Sequence, residues 1–416
     1  MTAPEDYCFM SSTGCAHARN RKALTLDRAG PARDRRKGIR HAGYRIELVS
    51  EPGDPVGTDR LEITADGMEL ELLPTKGLSV GEVSFEGVPL FWDPPRATLP
   101  DPDTLDLMAP MLIGGEEIVG FRFVEAFLGG LEMMGLRNWG MPMQDTATGA
   151  LLPIHGEVAN IPIRKLRIIA SDAGIEINGS FLARYGKGGG RAPWHRRGTP
   201  VFEVTKRVIV KRGRPRITVL DHIANVSPRT ETPDWGYHMQ LRPRPGARFL
   251  VPSREARERA GKKLPINHDR WDPAKKKATR VERGIVHRGL RRTRAALEGE
   301  PGTRCLLLYP DGSGIGVTVP PCPYFLSWFS CGGKGSTEFM LPGPKRQARI
   351  MKRDWNGVGP EIGSSALDHD GDVDPRVKTP TLKPGETMAI RLAIERLDAK
   401  PAARLARSIL QFNQKR

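Results

Sequence analysis

From Arg60 onward, apolar and polar residues alternate in short runs. In RLEITADGMELELLP the alternation continues on both sides of Asp66-Gly67, a pair suited to a tight turn, so the segment reads as a β-hairpin. The same period of two runs through Val201 to Ser227, with Phe202, Val204, Val208 and Val210 on one face and a turn near Gly213. CLLLYPDGSGIGVTVPP turns at Asp311-Gly312, and GETMAIRLAIERL sets Met388, Ile390, Leu392 and Ile394 on one side of a final strand. Helical spacing is rare. The C-terminal PAARLARSILQFNQ offers a stripe of Leu405, Ile409 and Leu410 after Pro401, and a short helix is expected within a basic stretch near residues 254–294. Strand follows strand without intervening helices, and no fixed repeat suggests a propeller. The pattern therefore predicts an all-β protein, a large antiparallel sandwich with few peripheral helices.

Composition agrees. Gly (46) and Pro (36) make up about a fifth of the 416 residues, as a turn-rich β protein requires. No run approaches the roughly 18 consecutive apolar residues of a membrane helix, and the N-terminal segment has no apolar stretch of the secretory kind. The expectation is a cytoplasmic protein without a membrane partner. Cysteines at 8, 15, 305, 322 and 331 are odd in number and form no C-x-x-C pair, which favours reduced thiols over disulfides or a zinc knuckle.

The net charge of +17 raises the question of nucleic acid. Much of the excess sits in residues 1–45 and in the insertion from Arg254 to Arg294, neither of which interleaves aromatics or shows a helix-turn-helix, zinc-finger or RNA-recognition pattern. A solvated basic surface is the expectation, and nucleic acid is not. The domain reading is a basic, flexible extension over 1–45, one β-sandwich domain over 46–398 carrying the insertion, and a C-terminal helix over 399–416.

Three motifs fail on inspection. CGGKGST (Cys331 to Thr337) lacks the Ser or Thr after its lysine that a phosphate loop needs. DHDGDVD (Asp368 to Asp374) has its glycine too early for a calcium loop and Thr379 where a bidentate glutamate belongs. GGEEIVG and GSGIG lack the strand-helix context of a dinucleotide fingerprint.

Four segments combine a reactive side chain with glycine-rich surroundings. They are GGLEMMGLRNWG with Arg137 and Asn138, LLPIHGEVAN with His155, PDWGYHMQL with His238, and NGVGPEIGSS with Glu361. Each alone is compatible with a structural role. Their order, with the Trp328-bearing strand YFLSWFS before GPEIG, resembles the aldose 1-epimerase (galactose mutarotase-like) superfamily, over roughly Leu61 to Leu397. The likeness is to a divergent bacterial branch of that superfamily.

The resemblance implies a β-supersandwich and a cofactor-free isomerase that opens the ring of a sugar hemiacetal by acid/base catalysis. It implies Glu361 as base, His238 as acid, and His155, Arg137 and Asn138 as ligands of a small sugar or sugar derivative, with Trp328 as a stacking platform. No metal and no cofactor are expected. The superfamily's further substrate aspartate has only Asp234 and Asp221 as candidates, and Glu157 or Glu116 compete with Glu361. An enzyme is expected to hold Glu361 and His238 across a sugar-sized gap. The alternatives are a non-catalytic carbohydrate-binding or regulatory protein on the same fold, or another acid/base reaction on a glycoside. The basic insertion suggests selection of an anionic sugar through arginine pairing.

Overall fold

The computed structural model describes residues 22–27, 37–50, 59–65, 67–94, 105–113, 116–127, 129–145, 149–163, 165–185, 197–259, 261, 263–274, 282–332, 355–368 and 373–414. Among them, strands assemble into an 11-stranded and a 12-stranded sheet, with two further two-stranded ladders. The first sheet is centred on Gly174–Tyr185, Thr199–Lys211, Arg216–Asn225 and Thr387–Leu397, each antiparallel to its neighbour. The second runs from Glu255–Glu258 through Glu282–Arg288, Tyr324–Cys331, Asn356–Gly363, Asp234–Met239 and Leu131–Leu136 to the hairpins before residue 86.

The alternating runs explain this arrangement. Phe202, Val204, Val208 and Val210 are all buried, as are Ile390, Leu392 and Ile394, and these inward faces meet Leu61, Leu72, Tyr237 and Ile362 of the opposite sheet. Each such side chain removed from water contributes about 1.5–3 kcal/mol, which is what holds two sheets face to face. A buried polar link also crosses the core. Lys206 and Asp221, partners in register on one sheet, form an ion pair at 2.5 Å, and the Tyr237 hydroxyl of the other sheet donates to Asp221 at 2.6 Å.

The expected secondary structure and the structure differ in the basic stretch after Val251. The basic stretch after Val251 holds no helix among its described residues; Glu255–Glu258 and Glu282–Arg288 pair there as outer strands of the 12-stranded sheet. A charged strand at a sheet edge resists pairing with other chains, so the charge pattern has a β explanation that helical spacing does not supply. Part of the basic N-terminal segment is also sheet, with Lys22–Asp27 against Lys165–Ser171 and Lys37–His41 against Tyr44–Ser50. The helix at the C-terminus spans Ala399–Gln414 and buries Ala402, Leu405, Ala406 and Ile409 against Leu250 and Leu306. No helix among the described residues is long and apolar enough to cross a membrane.

Candidate functional site

The period of two decides where the site lies. Along Asp234–Met239, residues Trp235, Tyr237 and Met239 enter the core between the sheets, which turns Gly236 and His238 to the other face. Along Asn356–Gly363, Val358 and Ile362 face the core and Glu361 faces away from it. Phe325 and Phe329 likewise point inward while Tyr324, Leu326 and Trp328 join a second cluster on the outer face, with Trp92, Phe127, Trp139 and Trp355. The outer face of this sheet is therefore covered by aromatic rings rather than by water.

Within that cover, register fixes the chemistry. Glu132, His238, Glu361 and Leu326 occupy one row across four adjacent strands. His238 and Glu361, as direct cross-strand partners, come together at 2.9 Å from Nε2 to Oε1, with side chains 4% exposed. Gln240, two residues further along the same face, sits 3.0 Å from His238 Nδ1. With the Gln240 amide turned so that its nitrogen donates to the carbonyls of Gly129 and Gly130, the orientation that satisfies every partner, its oxygen faces the imidazole. In that orientation His238 Nδ1 donates to Gln240, and Nε2 is the nitrogen that faces Glu361. Glu361 Oε2 is buried with no hydrogen-bond partner among the described residues.

His155 reaches the same point from a turn. It has φ +59° and is followed by Gly156 at φ +67°. Its backbone is clamped on both sides, since His155 N donates to Gly140 O and its carbonyl accepts from Gly135 N. A Cβ on Gly156 would meet the carbonyl oxygens of Asn138 and Gly135 within 2.8 Å, so the glycine is required by close packing against the Leu131–Leu136 strand. His155 Nδ1 donates to the Trp139 carbonyl at 2.9 Å, leaving Nε2 for the cluster. The donor atoms of His155, His238 and Glu361 all lie within 4.8 Å of one another.

Burial lowers the His155 pKa to about 4, with Glu361 opposing the shift. Burial also acts to raise Glu361, but His238, His155 and Arg259 outweigh it and hold the carboxyl below its ordinary value. Arg259 belongs to the basic insertion and makes a bidentate ion pair with Asp368, so the insertion does reach the site's surroundings with its charge already matched.

Aromatic rings enclose the three side chains. Phe123 packs edge-on to His155 at 4.7 Å, and Phe127 and Trp328 pack edge-on to His238 at 4.8 and 5.1 Å. Trp139 stacks on His155 at 5.6 Å. Its ring lies on Gly236 and Gly363, facing positions where any Cβ would come within 2.4 Å of it.

The structure brings Glu361, His238, His155 and Trp328 together. Arg137 and Asn138 go elsewhere. Arg137 pairs with Asp145 and lies over the Tyr185 ring, lining a separate recess with Glu157. Asn138 is fully buried and uses its amide to organise its own loop, donating to Met141 O and Pro153 O and accepting from Gly140 N. Asp234 ties Trp139 N to the hydroxyls of Ser364 and Ser365, and Asp221 serves the core link. Trp328 is an edge-on neighbour of His238 whose Nε1 donates to Glu282, not a ring laid open for stacking. The Glu116 side chain and most of CGGKGST and DHDGDVD lie outside the described residues. The sugar-sized gap expected between acid and base is also absent, for a reason of register: directly opposed residues on neighbouring strands place their side chains in contact.

Sequence reasoning missed Gln240, Trp139, Phe123, Phe127, Trp92 and Trp355. Gln240 carried a signal, since it is on the same face as His238 by the period of two. The glycines at 236 and 363 carried another, because glycine inside a strand marks a close approach.

The two antiparallel sheets form a β-sandwich of the galactose mutarotase-like fold. The profile described as domain of unknown function DUF4432 matches residues 56–297, more than half of the chain, and the chain belongs to that family. A crystal structure of a candidate aldose 1-epimerase from Klebsiella pneumoniae is similar with a TM-score of 0.70 at 16% identity, covering 94% of this chain and 96% of its own. The Slr1438 protein from Synechocystis follows with 0.51 at 13% identity, covering 84% and 98%. At these identities the likeness is one of fold. No curated protein sequence matches the chain.

Proposed function

We propose that the protein is a sugar isomerase of the aldose 1-epimerase type, opening and reclosing a hemiacetal ring by proton transfer. The observation that carries this reading is the buried His238–Glu361 contact at 2.9 Å, with His238 Nδ1 held by Gln240. The two oxygens of a hemiacetal are bonded to one carbon, so an acid and a base serving them must be neighbours. A pair that touches in the absence of sugar can part slightly to admit that carbon. Glu361 takes the proton of the anomeric hydroxyl while His238 Nε2–H protonates the ring oxygen, and the C1–O bond to that oxygen breaks. The aldehyde rotates about its bond to the next carbon, and reclosure on its other face returns both protons. His155 Nε2 accepts a hydrogen bond from a neighbouring hydroxyl, and Glu361 Oε2 supplies a second acceptor. Entry of the sugar requires Phe123 and Phe127 to swing out from the histidines.

The name of the Klebsiella structure supports the same reaction class. Saturation-transfer NMR across neutral and acidic aldoses is the test, on wild type and on Glu361→Gln and His238→Ala. Exchange between anomers that is accelerated by wild type and lost in both variants supports the reading. A folded wild type that accelerates none of the panel overturns it in favour of a carbohydrate binder.

A further inference from the structure

We propose that His155, His238 and Glu361 form a binding site for a divalent transition metal such as Zn²⁺. The chemistry of the donors is that of such sites, two imidazole nitrogens and one carboxylate. Three features of the surroundings match what a metal site needs and what a simple ion pair does not.

The first is that both imidazoles are oriented from behind. His155 gives its Nδ1 proton to the Trp139 carbonyl and His238 gives its own to Gln240, so each presents Nε2 to the same point. Ligating histidines are held in this way, with the non-ligating nitrogen donating to a carbonyl or similar acceptor. The second is the buried Glu361 Oε2, which has no hydrogen-bond partner among the described residues and costs desolvation energy unless something positive approaches it. The third is the shell of Phe123, Phe127, Trp139 and Trp328, which keeps competing water from the donors.

The distances permit closure. Metal–nitrogen bonds of about 2.0–2.1 Å in a tetrahedron set neighbouring donors about 3.3 Å apart. The 2.9 Å pair has to open slightly and the remaining donor, within 4.8 Å, to close in, both by side-chain rotation. Three protein ligands leave a fourth position for a water or a substrate oxygen. Where the isomerase reading also holds, metal occupancy and ring opening exclude each other, because the metal takes His238 Nε2 and Glu361 Oε1, the atoms the reaction uses; Zn²⁺ then inhibits and a chelator restores the rate.

The test uses no sugar, so its failure is separable from failure of the isomerase reading. Full-length protein is stripped with chelator, dialysed against Zn²⁺, and assayed for bound metal by mass spectrometry, alongside His155→Gln, Glu361→Gln and His287→Gln. One Zn²⁺ per chain in wild type and His287→Gln, lost in the other two variants with unchanged circular dichroism, is the expected result. The Co²⁺-loaded wild type provides a reading that needs no variant: ligand-field absorption of a four-coordinate site without a thiolate charge-transfer band. No metal above the buffer blank, stoichiometry unchanged in both cluster variants, or a thiolate band overturns the proposal.

Discussion

Two buried histidines on the 12-stranded sheet differ in what surrounds them. His287 lies between two serine hydroxyls, Ser253 Oγ on Nδ1 and Ser327 Oγ on Nε2, each at 2.9 Å, and burial holds its pKa down to about 3. His238 has an amide on one nitrogen and a carboxylate on the other. Both are inaccessible to water, yet one network is closed, with every ring nitrogen matched by a neutral group. The other holds a carboxylate oxygen with no hydrogen-bond partner among the described residues. Burial alone does not mark a site; an unfinished set of partners does.

The largest effect that sharpens this contrast is on rate. Glu361→Gln keeps the shape of the pair but removes the proposed base, and anomer exchange should fall by about 10²- to 10⁴-fold, the span of general acid-base contributions. His287→Gln should leave the exchange rate within a few-fold of wild type, as read by the same NMR assay. Equal losses from the two substitutions break the comparison.

Next comes stability. Trp139→Ala removes a ring seated on Gly236 and Gly363, where the sheet has no side chains to collapse into the space. The cost expected from urea unfolding is about 3–5 kcal/mol. His287→Ala should cost less, about 1–3 kcal/mol, by leaving two buried hydroxyls without the ring between them.

The last effect concerns pH. The folded His287 pKa of about 3 lies below the ordinary 6.5, so the folded state keeps the ring neutral while the unfolded chain takes up a proton. Its contribution to stability is complete above pH 6.5 and is lost as pH falls through 3, with a slope of at most about 1.4 kcal/mol per pH unit. Melting temperatures from pH 7 to 4 should decline less steeply in His287→Gln than in wild type. Parallel curves assign the acid sensitivity to other groups.

How far the sequence revealed this molecule depended on the range of the interaction. The hairpins about Asp66-Gly67, Gly213 and Asp311-Gly312 were visible because turn chemistry and the period of two act locally, and they pair as expected. His155, His238 and Glu361 were visible through the order of motifs. Arg137 and Asn138 share one of those motifs but serve Asp145, Tyr185 and their own loop, because motif order says nothing about which way a side chain turns beyond a strand end. Gln240 and the aromatic shell depended on contacts between strands distant in sequence, such as Trp139 with Gly363, for which only the in-strand glycines gave a local sign.

The single row of Glu132, His238, Glu361 and Leu326 also bears on how the chain avoids misfolding. A slip of one residue between Asp234–Met239 and its neighbours would turn His238 into the apolar space between the sheets and Tyr237 out of it. The imidazole would lose Glu361 and Gln240, and Asp221 would lose its hydroxyl, so the wrong pairing strands polar groups in hydrocarbon on both sheets. The residues proposed for chemistry thereby also help to specify the strand register. Replacing them together with apolar residues should speed the appearance of mispaired, aggregation-prone sheets in refolding even where the final fold tolerates the change.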